Sequence, residues 1–219
     1  MAFARHLPPG IDGAEFADEA IVVRRGGAVR RVAPRSAVRL RGEHNLLNVL
    51  ASCAAAAAAG LPEAAMAEAI ADFQGVPHRL TFVRRARGVD WYNDSIATTP
   101  ERSLASLRSF DEPLVLLAGG RDKDLDWQEF AVVVRGRVDH LILFGEAAGK
   151  IAAAVGSVSS GDRLQTIDHS PNLRRAVELA AQRATAGDVV LLAPGGTSFD
   201  EFRDFAERGE RFEEWVKAL

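Results

Sequence analysis

Three short, continuously apolar runs, LVLLA, LILF and VVLLA, most constrain what this chain can fold into. Strands that are covered on both faces have this composition, whereas strands with one solvated face alternate apolar and polar residues. The runs alternate with helical patterns, and repeated strand–helix alternation is typical of a doubly wound sheet. The sequence therefore predicts an α/β fold with a mostly parallel sheet from Leu80 onward.

The bounds of this predicted sheet and its helices follow from the periodicity. The predicted strands are 80–84, 89–92, 114–118, 140–144 and 189–193. The predicted helices lie at about 100–109, 127–137, 147–155, 171–185 and 201–216.

The first part of the chain has a different pattern. The segments AIVVRR, AVRRV and AVRLR alternate apolar and basic positions, and Gly26-Gly27 is a hairpin signal between the first two. We therefore predict that residues 1–41 form the strands of a small antiparallel edge. Two helices follow, one after Gly42 and one at about 62–73. The break at GVPHR predicts a boundary between domains at 1–76 and 77–219.

Composition excludes several classes of function. A formal net charge of -3 gives no electrostatic case for a nucleic-acid partner. Cys53 is the only cysteine, which excludes internal disulfides and Cys-based zinc sites, and the five histidines lack zinc spacing, so we expect no metal site. Neither a signal peptide nor a membrane-spanning run is recognisable, so the sequence predicts a cytoplasmic protein without a membrane partner.

Ligands of doubly wound sheets bind beyond the carboxyl ends of the strands, where this chain has three conspicuous loops. In NDSIATTP, Thr98 or Thr99 can cap the next helix with Glu101 as capping-box partner of Thr98, but capping leaves Asn93-Asp94 unexplained. A carboxylate there could accept a ribose hydroxyl or bind the water of a metal.

The other two loops are GGRDKDLDW and APGGTSFDEF. Lys123 is either a mobile charge for a carboxylate or phosphate, or the ion-pair partner of Asp122 or Asp124. Ser198 is either part of an anion site at a helix N-terminus or a helix cap with Glu201.

GEAAGKI, residues 145–151, resembles a phosphate-binding P-loop but does not qualify. That motif has four residues between its glycines and a Ser or Thr after the lysine, whereas this segment has three and an isoleucine. If the protein uses ATP, we expect the phosphate cradle outside this chain.

The segments GEHNLLN, GVPHR, NDSIATTP, GGRDKDLDW and LLAPGGTSFDEFRDFAERGERF resemble the Mur ligases in order and spacing, specifically the glutamate-adding branch. The resemblance implies the tail of a central ATPase domain followed by a complete Rossmann-like C-terminal domain. It implies a ligase of peptidoglycan synthesis that uses ATP and Mg²⁺ to join glutamate to UDP-N-acetylmuramoyl-L-alanine through an acyl phosphate. It also implies a monomer at full length, and inactivity without the N-terminal and P-loop regions.

The resemblance also implies roles for individual residues. The residues implied for ATP are Asn45, Asn48, Arg79 and Asp94, and those for glutamate are Thr98, Lys123, Ser198, Phe205 and Arg208. It implies that His78, Arg79 and Lys123 are catalytic.

One position departs from the family pattern. Ile96 stands where the common loop has lysine, which leaves D- or L-glutamate open as the acceptor. Two other functions are compatible with the architecture: a stand-alone binding module for a nucleotide or acidic metabolite, and a folylpolyglutamate-synthase-like glutamate ligase.

Overall fold

The computed structural model describes residues 1–219 and divides into two compact units, Met1–Gly75 and Val76–Leu219. The first unit is a four-stranded sheet in the order β1-β2-β3-β4, covered by two helices. Its elements are β1 (Ala2–Phe3), β2 (Gly13–Ala17), β3 (Ala20–Arg25), β4 (Ala28–Pro34), α1 (Glu43–Ala58) and α2 (Glu63–Asp72).

The predicted hairpin of this unit is confirmed, because β3 and β4 pair antiparallel around Gly26-Gly27. The predicted third strand, AVRLR, is wrong. Pro34 ends β4, and a short 3-10 helix, Arg35–Ala37, follows it and buries Val38 in the core. The strands β1 and β2 were not predicted; β2 reads GAEFA, which carries little β propensity.

The second unit is built on a six-stranded sheet in the order β5-β6-β10-β7-β8-β9. Only β5 is antiparallel to its neighbour, so the predicted mostly parallel sheet is confirmed. Its strands are β5 (Thr81–Ala86), β6 (Val89–Asn93), β7 (Leu114–Gly119), β8 (His140–Phe144), β9 (Thr166–Ser170) and β10 (Val189–Gly195). The edge strand β9 was not predicted, because its sequence, TIDHS, is polar and half exposed.

Helices cover both faces of this sheet, as the apolar strands predict. The helices α3, α4 and α5 pack on one face, and α6 and α7 pack on the other. Their bounds are α3 (Pro100–Leu107), α4 (Gln128–Arg137), α5 (Ala148–Val155), α6 (Leu173–Arg183) and α7 (Phe205–Lys217).

The start of α7 differs from the prediction, which placed it at Glu201. Asp204 is the N-cap and accepts a hydrogen bond from the backbone N–H of Glu207 at 2.8 Å. Glu201 instead accepts the backbone N–H of Leu173, the first residue of α6, at 3.1 Å. The capping box expected between Ser198 and Glu201 therefore does not form.

Candidate functional site

The loops after β6, β7 and β10 are held together at one edge of the sheet, because these strands are neighbours. The backbone N–H of Gly195 donates to Ala97 O at 2.9 Å, which joins the β10 loop to the β6 loop. Arg121 and Thr197 exchange two backbone hydrogen bonds, of 2.8 and 2.9 Å, which join the β7 loop to the β10 loop. The three loops thus form one continuous edge.

Glycine is required where these loops pass each other. A Cβ on Gly119 would lie 1.8 Å from the carbonyl oxygen of Phe144, and one on Gly196 would lie 2.5 Å from that of Gly119. Because these contacts are with backbone atoms, which cannot move aside, a side chain at Gly119 would separate the ends of β7 and β8, and one at Gly196 would separate the β10 loop from the end of β7.

Lys123 projects from the β7 loop, is exposed, and has no ion-pair partner. The alternative in which it pairs with Asp122 or Asp124 is contradicted, since Lys150 occupies both carboxylates. The Lys150 Nζ lies 2.5 Å from Asp122 Oδ2 and 3.5 Å from Asp124 Oδ1. The lysine of GEAAGKI, which we rejected as a P-loop lysine, therefore has a partner within the chain.

Two hydroxyls at the same edge also lack partners in the chain. Thr98 lies two residues before α3, whose N-cap is Thr99; neither threonine makes a side-chain capping bond, so the box expected with Glu101 is absent. Ser198 follows Thr197 in the β10 loop and is only 2% exposed, and none of the side-chain hydrogen bonds at this edge involves its hydroxyl. Thr98, Lys123 and Ser198 therefore supply hydrogen-bond donors with no internal acceptor.

Arg208 of α7 is completely buried, and each of its guanidinium nitrogens donates within the chain. Its Nε donates to Ser95 Oγ at 2.9 Å, and its other nitrogens donate to Ser95 O at 2.8 Å and Gly196 O at 3.1 Å. Ser95 Oγ in turn donates to the carbonyl oxygen of Phe205 at 2.8 Å. Burial lowers the pKa of Arg208 to about 10, so the group stays charged at neutral pH. Arg208 thereby ties the β6 loop, the β10 loop and α7 together.

His78 belongs to a second buried contact between distant motifs. Its Nδ1 lies 3.0 Å from Asn93 Nδ2, which also donates to Gly209 O and Glu213 Oε1. The imidazole lies edge-on to the ring of Phe205, with 6.3 Å between centroids. Sequence reasoning missed Gly209 and Glu213; Gly209 lies within the quoted C-terminal motif, and Glu213 directly follows it.

We expect Gly209→Ala to destabilise the second unit by about 1–3 kcal/mol, the usual cost of overpacking. A Cβ at this position would lie 2.2 Å from His78 Nδ1 and 2.8 Å from its Cγ. The gain in helix propensity, about 1 kcal/mol, is too small to offset the clash. All three tryptophans lie in the second unit, so urea unfolding followed by tryptophan fluorescence reports on it.

The matched control repeats Gly209→Ala in a His78→Ala background, where the ring is gone. There the change should cost clearly less, because the two shortest contacts are gone and only Asn93 Nδ2, at 3.0 Å, remains close to the new Cβ. An equal cost in both backgrounds would contradict the contact.

Asp94 and Arg79 differ in exposure. Asp94 is 3% exposed; its carboxylate accepts the backbone N–H of Leu80 at 3.0 Å and the hydroxyl of Ser106. Arg79 is exposed, and its charge acts on Asp94. Burial raises the pKa of Asp94, and the two hydrogen bonds and the nearby arginines offset this only in part.

Asp94→Asn should change how stability depends on pH. An acid with a raised pKa in the folded chain contributes stability that is full below its unfolded pKa, here 3.8, and is lost as pH rises through the folded value. We therefore expect the parent to be more stable relative to Asp94→Asn at pH 4.5 than at pH 7. Urea unfolding of both proteins at both pH values measures this difference in unfolding free energy. The titration of all other groups contributes equally to both proteins and cancels. A constant difference would contradict the raised pKa.

Asn45 and Asn48 lie in the first unit, on α1. Asn45 is buried and donates to Arg41 O at 2.7 Å, and the more exposed Asn48 donates to Asn45 Oδ1 at 3.4 Å. The Asn48 side chain is thus the more accessible of the two.

No group of three or more His, Cys, Asp or Glu side chains that could hold a metal ion occurs in the chain. None of its helices combines the length and apolar character needed to cross a bilayer.

The fold and the site define a doubly wound α/β domain whose strand-end loops form one polar edge. Residues 78–196 match the family model described as the Mur ligase glutamate ligase domain. The chain therefore belongs to the Mur ligase family, and the resemblance of its motifs is confirmed.

Individual relatives agree with this assignment. The chain is 41% identical over its whole length to a UDP-N-acetylmuramoylalanine–D-glutamate ligase from Symbiobacterium thermophilum, of which it covers 48%. It spans between 39% and 48% of the length of the curated relatives it matches.

Solved structures support the fold. A pseudomurein peptide ligase type C from Methanothermus fervidus matches 96% of the chain with a TM-score of 0.66 at 14% identity, over 42% of its own length. The MurF ligase from Thermotoga maritima, solved with ADP, matches 99% with a TM-score of 0.62 at 18% identity, over 48% of its length.

Proposed function

We propose that the chain supplies the glutamate site and part of the ATP site of an amide ligase of peptidoglycan synthesis. The reaction joins glutamate to UDP-N-acetylmuramoyl-L-alanine in the cytoplasm, with ATP activating the precursor's carboxylate as an acyl phosphate. The proposal rests on one observation. Thr98, Lys123 and Ser198 have hydrogen-bond donors without an acceptor in the chain, and they lie on three loops that are hydrogen-bonded to each other.

This set of groups suits a dicarboxylate. A cation and hydroxyl donors together satisfy a carboxylate, and charge-assisted hydrogen bonds are the strong ones. Lys123 would provide the charge, and Thr98 and Ser198 would provide donors that fix orientation. Holding the amine of glutamate in line with the activated carboxyl carbon would be the main contribution of the chain to catalysis.

The proposed nucleotide contacts are Asn45, Asn48, Arg79 and Asp94. The exposed Arg79 is free to approach phosphates, and the exposed Asn48 amide can both donate to and accept from a purine edge. Asp94 has both carboxylate oxygens engaged, so its contribution is to fix the backbone next to Arg79. Mg²⁺ remains a prediction from the family, because the chain itself offers no metal-binding cluster.

His78 and Arg208 are engaged in contacts with other groups of the chain, and we propose that they hold the site residues in position. The Arg208 nitrogens all donate to chain atoms, so it fixes the loops that carry Thr98 and Ser198. His78 lies against Asn93 and Gly209 and so holds the turn that presents Arg79. Phe205 contributes its carbonyl oxygen to this framework through Ser95.

The test uses the complete gene product that contains these residues, supplied with ATP, Mg²⁺ and UDP-N-acetylmuramoyl-L-alanine. Phosphate release that depends on glutamate, with a product heavier by one glutamyl residue, would support the proposal, and parallel assays with D- and L-glutamate would identify the acceptor. Turnover with a folate acceptor only, or tight ligand binding without turnover, would contradict it.

A further inference from the structure

The chain has three lysines, and Lys123 alone has no carboxylate partner. Lys217 pairs with Glu213 at 3.3 Å on α7. Lys150 pairs with Asp122 and Asp124, which are the residues on either side of Lys123. The two acids that could most easily capture Lys123 are therefore held by a lysine from another element, α5.

Asp122 is fixed by a donor at each of its oxygens. Lys150 donates to Oδ2, and Trp127 Nε1 donates to Oδ1 at 3.2 Å. Burial acts to raise the pKa of Asp122, but hydrogen bonds from Lys150 and Trp127 and the charge of Lys150 outweigh it, and the pKa is lowered. Asp122 is therefore an ionised carboxylate beside Lys123.

We propose that Lys150 is a positioning residue that neutralises Asp122 and Asp124 and so leaves the Lys123 ammonium free for a carboxylate ligand. The identity of that ligand rests on the proposed function, whereas the pairing of Lys123 does not.

Two electrostatic effects make this neutralisation necessary. A neighbouring carboxylate would compete for the ammonium group of Lys123, and two unpaired carboxylates would repel an incoming dicarboxylate. Arg121 cannot replace Lys150, because its guanidinium is held by both oxygens of Glu146, at 2.9 and 3.1 Å.

The test is competitive acetylation of the 219-residue chain at limiting reagent, with each lysine quantified by mass spectrometry. In Lys150→Met we expect Lys123 to turn to Asp122 or Asp124 and react about two- to fivefold more slowly relative to Lys217, which is the occupancy range of an exposed ion pair. Lys217 is an internal standard, since its partner Glu213 is not changed. Lys150 is partly exposed, with 43% of its side chain accessible, so the change leaves the core intact.

Two further variants separate loss of charge from a change in the loop. Lys150→Arg keeps a cation on α5 and should retain the parental reactivity of Lys123. Adding Asp122→Asn and Asp124→Asn to Lys150→Met should restore that reactivity, because both carboxylates next to Lys123 are then gone. The remaining acid of the loop, Asp126, accepts the backbone N–H of Gln128 at 2.9 Å. The amide oxygen introduced at position 122 would still accept the hydrogen bond from Trp127.

Unchanged Lys123 reactivity in Lys150→Met, or failure of the combined variant to restore a lowered reactivity, would overturn the inference. Neither outcome affects the proposed function, which fails separately if the complete enzyme shows no glutamate-dependent turnover.

Discussion

Arg208→Met is expected to lower the free energy of unfolding of the second unit by about 3 kcal/mol, because buried acceptors left without a donor each cost about 1–3 kcal/mol. The change removes the donors of Ser95 O, Ser95 Oγ and Gly196 O in a region that excludes water. Part of the loss is offset, since methionine also removes the cost of burying a cation that has no carboxylate in contact.

Urea unfolding followed by tryptophan fluorescence measures this change. The matched control is Arg211→Met, since Arg211 is exposed on the same helix and pairs with Glu214 at 2.9 Å. An exposed substitution of this kind should change stability by no more than about 0.5 kcal/mol. Equal unfolding free energies for the two variants would show that Arg208 does not hold the loops together.

Lys123→Met is expected to raise the KM for glutamate of the complete enzyme about 10- to 100-fold, because a hydrogen bond to a charged group is worth about 1.5–3 kcal/mol. The effect on the KM for ATP should be much smaller, because this lysine lies in a loop that we propose to bind glutamate and not the nucleotide. The side chain is exposed and forms no ion pair, so its removal should leave stability unchanged.

Lys217→Met is the control for this second change. It removes a lysine from the same unit, but one that pairs with Glu213 on α7, away from the β7 loop. Equal KM values for glutamate in the two variants would exclude Lys123 as a ligand of the substrate.

Periodicity predicted the elements that are apolar or strongly amphipathic. The strand β8 has the predicted bounds, and the helix predicted after Gly42 is α1, which buries Leu46, Leu50, Cys53 and Ala57 at helical spacing. Strand β9 was missed because an edge strand needs no apolar run. The start of α7 was misplaced because two plausible caps, Ser198 and Asp204, compete, and only packing decides between them.

The nearness of the three loops could be predicted, but the contacts within them could not. The loops that carry Thr98, Lys123 and Ser198 lie at one edge because the order of the sheet makes their strands neighbours. The partners of Arg208 and of Lys150 could not be predicted, because both side chains bond to residues far away in sequence. A buried arginine also goes against the usual preference of charged residues for the surface.

We propose that the three bonded loops form the glutamate site, and a crystal structure of the complete enzyme with glutamate is the decisive measurement. We expect one carboxylate of glutamate within about 3 Å of Lys123 Nζ and of the hydroxyl of Thr98 or Ser198. Glutamate bound elsewhere, without contact to any of these three side chains, would contradict this proposal.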